Sequence, residues 1–189
     1  MDKLLKEKLR NRLINISITQ SVLRNQGRGI IEPIRQTFRD HFYIEELFSK
    51  LSQTRDIGYQ RYLDDLTNEV DSCRGVRWGT ARKCVNIVIR ETVSTGFFWQ
   101  EYKLKTSDFD YKGRFNKLEV PLDSHVIKGL AEAKEKFDIE DVDEALNDFT
   151  IKTLLKSKSD QIQHIADKVA NNMNVSRVNL DLFYWRKLQ

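Results

Sequence analysis

The chain is poor in the residues that interrupt or cross-link a fold. Its 189 residues include two prolines, two cysteines and eight glycines. Because proline and glycine break helices, their scarcity favours long helical elements. Cys73 and Cys84 alone form no disulfide framework, so a reducing compartment fits the chain better. We therefore expect a cytoplasmic location and two small, buried thiol side chains.

The sequence also lacks the features of membrane, exported and metal-binding proteins. No apolar run approaches the length of a membrane span, and residues 1–12 are charged throughout. We therefore expect no signal peptide and no membrane partner. His41, His125 and His164 show no ligand spacing with the two cysteines. We accordingly expect no metal, no iron–sulfur cluster and no other cofactor.

The overall balance of residues is that of a globular protein. Hydrophobic residues make up 40% of the chain and charged residues 32%, which argues against disorder. A chain of this length forms one well-buried core, so we predict a single helical domain over residues 1–189. The net charge of +4 is compatible with a phosphate backbone as partner but does not by itself indicate one.

Apolar residues recur at helical spacing along most of the chain, which predicts an all-α, multi-helix fold. One stripe covers residues 59–70 and ends at a turn around Gly75, and a further helix begins near Trp78. Another helix begins at Asp123-Ser124, after Pro121. Residues 178–184 fit either a short closing helix or a strand. Over about 96–118 the periodicity fails, and we predict a long aromatic loop there.

The segment from Arg74 to Ile89 predicts a helix, a glycine turn and a second helix, which is a hairpin motif over about 73–90. Gly75 and Gly79 permit positive φ and a close approach of the backbone. Amides at the start of the second helix can then meet a phosphate, aided by the helix dipole and nearby arginines. The residues predicted to contact DNA are Arg74, Gly75, Arg77, Trp78, Gly79, Thr80 and Arg82.

A second segment, Leu122-Asp123-Ser124-His125-Val126, places an acidic residue just before a predicted helix. A carboxylate in that position is stabilised by the first amides of the helix. This segment and the hairpin motif occur in one chain, in this order, and each lies at a predicted helix start.

Together the two segments resemble the helix-hairpin-helix DNA glycosylase superfamily of the endonuclease III type. Residues 79–89, G-T-A-R-K-C-V-N-I-V-I, look like the family's hairpin and following helix, G-V-G-R-K-T-A-N-V-V-L. Residues 122–126 look like its V-D-T-H-V. The chain departs from the family pattern at Ala81, where the family has glycine, and at Trp78, where it has proline. The resemblance implies a glycosylase-like fold. The family's C-terminal iron–sulfur cysteines are absent from this chain, so no cluster is expected.

The resemblance also implies catalytic roles for Lys83, as nucleophile, and Asp123, as the catalytic carboxylate. Breaking an N-glycosidic bond builds positive charge on the sugar, and a fixed carboxylate stabilises that charge or activates the nucleophile. A lysine amine that attacks C1′ forms a Schiff base and must be partly deprotonated. The target nucleotide is flipped out of the duplex into an aromatic-lined pocket. The candidates for that pocket are Phe97, Phe98, Trp99 and His125.

The expected function is therefore that of an enzyme, a DNA glycosylase with or without AP-lyase activity. Its partner would be double-stranded DNA that carries a damaged or modified base. Two alternatives stay open: a non-catalytic helix-hairpin-helix DNA-binding module in a repair, defence or regulatory system, and a helical protein-interaction domain. Lys83 could equally be a solvated helix lysine, Asp123 a helix cap and the aromatic residues core. The sequence indicates neither the base nor the oligomeric state.

Overall fold

The computed structural model describes residues 2–19, 22–23, 29–53, 57–139 and 146–185. Within these ranges the chain is helical and has no β-strand, which confirms the predicted all-α class. None of the described helices combines the length and apolarity that crossing a bilayer requires. The backbone contacts divide the chain into two units, Met1–Leu104 and Lys105–Gln189, and the single domain stays a prediction.

Helix α5 is the central element of unit 1, Met1–Leu104. Most of its residues are buried, and it packs against α1, α4 and α6. The described helices of this unit are α1 Lys3–Ser17, α2 Ile31–His41, α3 Ile44–Leu51, α4 Ile57–Asp71, α5 Trp78–Ser94 and α6 Gly96–Glu101. The predicted stripe of residues 59–70 lies on the buried face of α4, and α5 begins at Trp78 as the sequence predicts.

The prediction of a loop over about 96–118 is wrong for much of that segment. It contains α6 and two short 3-10 helices, Thr106–Phe109 and Arg114–Lys117. Phe98 and Phe115 are fully buried in it. Elements of four to six residues make too few turns to show a helical apolar period, which is why the sequence gives no sign of them.

Unit 2, Lys105–Gln189, is built around two longer helices. The elements that the structure describes after the two 3-10 helices are α7 Ser124–Lys136, α8 Lys156–Met173, a third 3-10 helix Arg177–Asn179, and α9 Leu180–Trp185. Helix α7 packs on both α8 and α9. Gly129 of α7 lies so close to the ring of Tyr184 that a Cβ there would overlap it. Residues 178–184 lie in the third 3-10 helix and in α9, so the helix is the correct one of the two alternatives for this segment.

Candidate nucleic-acid interface

A tight turn joins α4 to α5 in unit 1. The Val76 amide donates a hydrogen bond to the Cys73 carbonyl at 3.0 Å, and Gly75 has a φ of +85° at the third position of that turn. A positive φ at this position favours glycine, because a Cβ would be strained there. The predicted hairpin turn is thus present at Gly75. Residues 72–78, which close α4 and open α5, are called the hairpin tip below.

The hairpin tip presents positive charge to solvent. Arg74, Gly75 and Arg77 are exposed, and Trp78 is partly exposed. Arg77 precedes the first turn of α5 and its side chain makes no capping hydrogen bond there. The first amides of a helix have no acceptor within the helix, and the helix dipole places partial positive charge at the same end. Both features suit an anion.

Two of the predicted DNA contacts have a different local structure from the one expected. Gly79 lies within the first turn of α5, and the positive φ values of the described glycines occur at Gly29 and Gly75. The positive φ predicted for Gly79 is therefore wrong. Gly79 and Thr80 are both buried, so the Thr80 side chain faces the protein. Both residues belong to the first turn of α5, which begins at Trp78.

The prediction that Arg82 contacts phosphate is wrong, because its side chain is only 2% exposed. Its Nη1 donates to Thr67 Oγ1 at 2.9 Å, and its Nη2 lies 2.9 Å from Asp64 Oδ1. The guanidinium also lies over the Trp78 ring, 5.4 Å from the centroid. Arg82 therefore joins α5 to α4 just behind the hairpin tip. Sequence reasoning missed its partners Asp64 and Thr67, since a helix arginine is exposed by default.

The aromatic candidates for a base pocket separate into core and surface. Phe98 is fully buried against Phe48 and Tyr102, which corrects its placement in a pocket. Trp99 is partly buried, and its Nε1 donates to the Val93 carbonyl at 3.2 Å. Phe97 is 60% exposed. These aromatic residues alternate between core and surface because they lie on a short helix, not on a loop.

Lys83 lies in the second turn of α5 and is half-buried. The neighbouring thiol of Cys84 is fully buried, and this burial raises its pKa to about 12. Cys73 is half-buried at the hairpin tip, with its Sγ 3.2 Å from Thr37 Oγ1. Full burial, as expected of both thiols, is therefore confirmed for Cys84 alone.

Asp123 in unit 2 caps the start of α7. Its Oδ1 accepts hydrogen bonds from the amides of His125, at 2.9 Å, and Val126, at 3.1 Å. The position of Asp123 before a helix is as predicted, and its carboxylate is held in one orientation. His125 is exposed.

Two side chains fix the segment that leads to Asp123. Gln163 of α8 pairs with Val120, accepting from its amide at 3.1 Å and donating to its carbonyl at 2.8 Å. Arg177 donates to the carbonyls of Lys117, Leu118 and Gln163, each at 3.1 Å. These two side chains provide the hydrogen-bond partners that a neighbouring β-strand would otherwise give to this backbone. The backbone that leads to Asp123 is therefore hydrogen-bonded within unit 2.

The two predicted catalytic residues belong to different units: Lys83 lies in unit 1 and Asp123 in unit 2. Their approach to one another stays a prediction. Among the described residues no three His, Cys, Asp or Glu side chains come together as a metal ion would require.

Sequence reasoning did not anticipate a cleft in unit 1, of about 310 Å³. Its lining comes from α2, α3 and α4, and no single segment carries a signal for it. The charged and imidazole side chains around it are those of His41, Glu46, Lys50, Arg61, Asp65 and Glu69. His41 Nε2 lies 3.8 Å from Glu69 Oε2. Carboxylates outnumber the cations in this cleft, so it suits a nucleic-acid backbone less well than the hairpin tip does.

Comparison of the chain with protein-family models, curated proteins and solved structures finds no significant match. The resemblance to the helix-hairpin-helix glycosylases therefore depends on the two motifs alone.

The burial of Arg82 and the exposure of Arg77 predict that the two arginines contribute differently to the free energy of unfolding. Arg82→Ala should lower the free energy of unfolding by about 3 kcal/mol, because it removes a buried charge together with the ion pair to Asp64 and the hydrogen bond to Thr67 that join α5 to α4. Arg77→Ala removes an exposed side chain and should change that free energy by less than about 0.5 kcal/mol. Urea unfolding followed by circular dichroism measures both. Equal, small effects would contradict a structural role for Arg82.

Proposed function

We propose that the protein binds DNA through the hairpin tip of unit 1. The observation that carries the proposal is the Gly75 turn, which holds Arg74 and Arg77 in solvent at the start of a long, buried helix. Exposed arginines beside the start of a helix are among the groups that proteins use to hold a phosphate. Contacts of this kind fix a protein on the DNA backbone without reading sequence.

The distribution of charge supports this choice of unit. Unit 1 contains 18 lysines and arginines against 13 aspartates and glutamates, whereas unit 2 contains 14 against 15. The net positive charge of the chain thus lies in the unit that carries the hairpin tip. A positive surface attracts a polyanion over distances of about a Debye length, roughly 10 Å at moderate salt.

The contacts of Arg82 behind the hairpin tip support the proposal as well. Arg82 joins the two helices that flank the turn through a short ion pair and a hydrogen bond. A preformed turn loses little conformational entropy when it binds, so more of the interaction with phosphate appears as affinity.

Base excision is a second candidate, and the orientation of Asp123 favours it. The carboxylate is fixed before α7, as the resemblance implies for a group that stabilises positive charge on a sugar. In this reaction the Lys83 amine attacks C1′, the N-glycosidic bond breaks and the base leaves with its electron pair, then takes a proton. The secondary amine next becomes an imine as the sugar ring opens.

The binding proposal predicts a salt-sensitive affinity that depends on the hairpin tip. Arg74→Ala and Arg77→Ala should each weaken binding to a short duplex and reduce the slope of log affinity against log salt by about one. Arg61→Ala is the matched control, because Arg61 is exposed on α4 but lies ten residues before its end, roughly 15 Å along the axis. Fluorescence anisotropy over a salt series gives both quantities. Equal losses for Arg61 and Arg74 would count against the hairpin tip.

The excision candidate predicts a covalent intermediate. Borohydride reduces the imine to a stable amine, so the wild-type protein should be trapped on a duplex that carries a damaged base. Lys83→Arg keeps the charge but removes the nucleophile, and should abolish trapping with little loss of binding. Asp123→Asn retains a good helix cap while it removes the negative charge, and should slow excision without loss of stability.

Denaturing gel electrophoresis measures the trapped adduct. Wild-type protein that binds DNA but gives neither adduct nor free base across a panel of damaged bases would contradict excision and leave the binding proposal standing.

A further inference from the structure

Trp78 is the first residue of α5 and lies at the hairpin tip, beside the exposed Arg77. Its side chain is partly exposed, and part of the ring is covered by the Arg82 guanidinium, at 5.4 Å from the centroid. The two residues are one helical turn apart. Trp78 is therefore a partly exposed aromatic residue that adjoins the exposed arginines of the tip in the chain.

The arginine behind the ring is held from two sides. Asp64 Oδ1 lies 2.9 Å from its Nη2, and Thr67 Oγ1, which accepts from its Nη1 at 2.9 Å, itself donates to the Leu63 carbonyl at 2.6 Å. Because this cation is almost fully buried, its attraction to the ring is little weakened by water. This contact favours one orientation of the ring, and a side chain that is already oriented loses less entropy on stacking.

An aromatic ring among exposed arginines matches the composition of sites that hold unpaired nucleotides. In such sites bases stack on aromatic side chains while cations follow the backbone. A base within an intact duplex has neighbours on both faces, so it has no face to offer. A nucleotide at a gap, a bulge or in a single strand does. The chemistry at the tip therefore fits an unpaired base next to a bound phosphate.

We propose that Trp78 stacks on an unpaired base whose neighbouring phosphate is held by Arg74 and Arg77, so that the hairpin tip prefers DNA with an unpaired nucleotide to an intact duplex. This inference depends on the proposed binding of DNA by the same site. It adds a class of substrate, since backbone contacts alone do not distinguish the two forms of DNA. Arg82 acts as a positioning residue, because it orients the ring and does not touch the DNA.

The test compares two fluorescein-labelled DNAs of the same sequence, one an intact duplex and one with a single bulged nucleotide. Wild-type protein should bind the bulged DNA more tightly. Trp78→Leu should weaken binding to the bulged DNA by roughly 5- to 150-fold, to the level of the intact duplex. Trp78→Phe keeps a flat ring and should retain most of the preference. Tyr43→Leu is the matched control, because Tyr43 is an exposed aromatic residue of the same unit, lies outside the hairpin tip and also has an arginine, Arg10, over its ring at 5.6 Å from the centroid.

Circular dichroism first establishes that each variant is folded. The comparison of Trp78→Phe with Trp78→Leu then separates the loss of an aromatic ring from a general loss of packing at this residue. If Trp78→Leu keeps the full preference for the bulged DNA, or if the wild type has none, the stacking inference is overturned. The proposed function then still stands wherever Arg74→Ala weakens binding to the intact duplex. If the wild type shows no salt-sensitive affinity for either DNA, the proposed function itself is overturned, and the inference with it.

Discussion

The guanidinium of Arg82 lies between α4 and α5, where water cannot solvate it. Burying a charge is costly, and the cost is offset only if the partner geometry is good. Here an aspartate, a buried threonine and an indole ring surround the group. This arrangement ties the two helices together directly behind the turn. The exposed arginines of the hairpin tip lie in the turn between the two helices that the buried arginine joins.

In unit 2, side-chain hydrogen bonds from a neutral and a charged residue hold the backbone that precedes α7. The segment before α7 is extended and has no neighbouring strand, so Gln163 and Arg177 bind its carbonyl groups and the Val120 amide. Asp123 follows this hydrogen-bonded segment and caps α7. In each unit, therefore, side chains outside the sequence motifs contact the motif residues or the backbone beside them. Asp64 and Thr67 hold Arg82 in unit 1. Gln163 and Arg177 hold the segment before Asp123 in unit 2.

The sequence is informative where local chemistry decides the structure. Gly75 predicts a turn because a positive φ is required there, and Asp123 predicts a helix start because its carboxylate accepts from the first amides. The start of α5 at Trp78 follows from the same reasoning. These features involve residues within a few positions of one another, so a single sequence contains the information.

The sequence is misleading where packing decides which face is buried. Arginine is a residue type usually found at the surface, and the burial of Arg82 depends on partners in another helix. Phe98 and Phe97 are adjacent, yet one is in the core and the other in solvent. The cleft between α2, α3 and α4 is likewise assembled from separate segments. No local pattern distinguishes these cases, because the deciding contacts are made across the fold.

The most direct measurement of the central claim is an amide NMR titration of the full chain with a short DNA duplex. If the hairpin tip holds the phosphate backbone, the largest chemical-shift changes should fall on the amides of Arg74, Gly75 and the first turn of α5, and they should diminish as salt is raised. Changes confined to unit 2 or to the cleft of α2–α4, or no changes at low salt, would contradict the account.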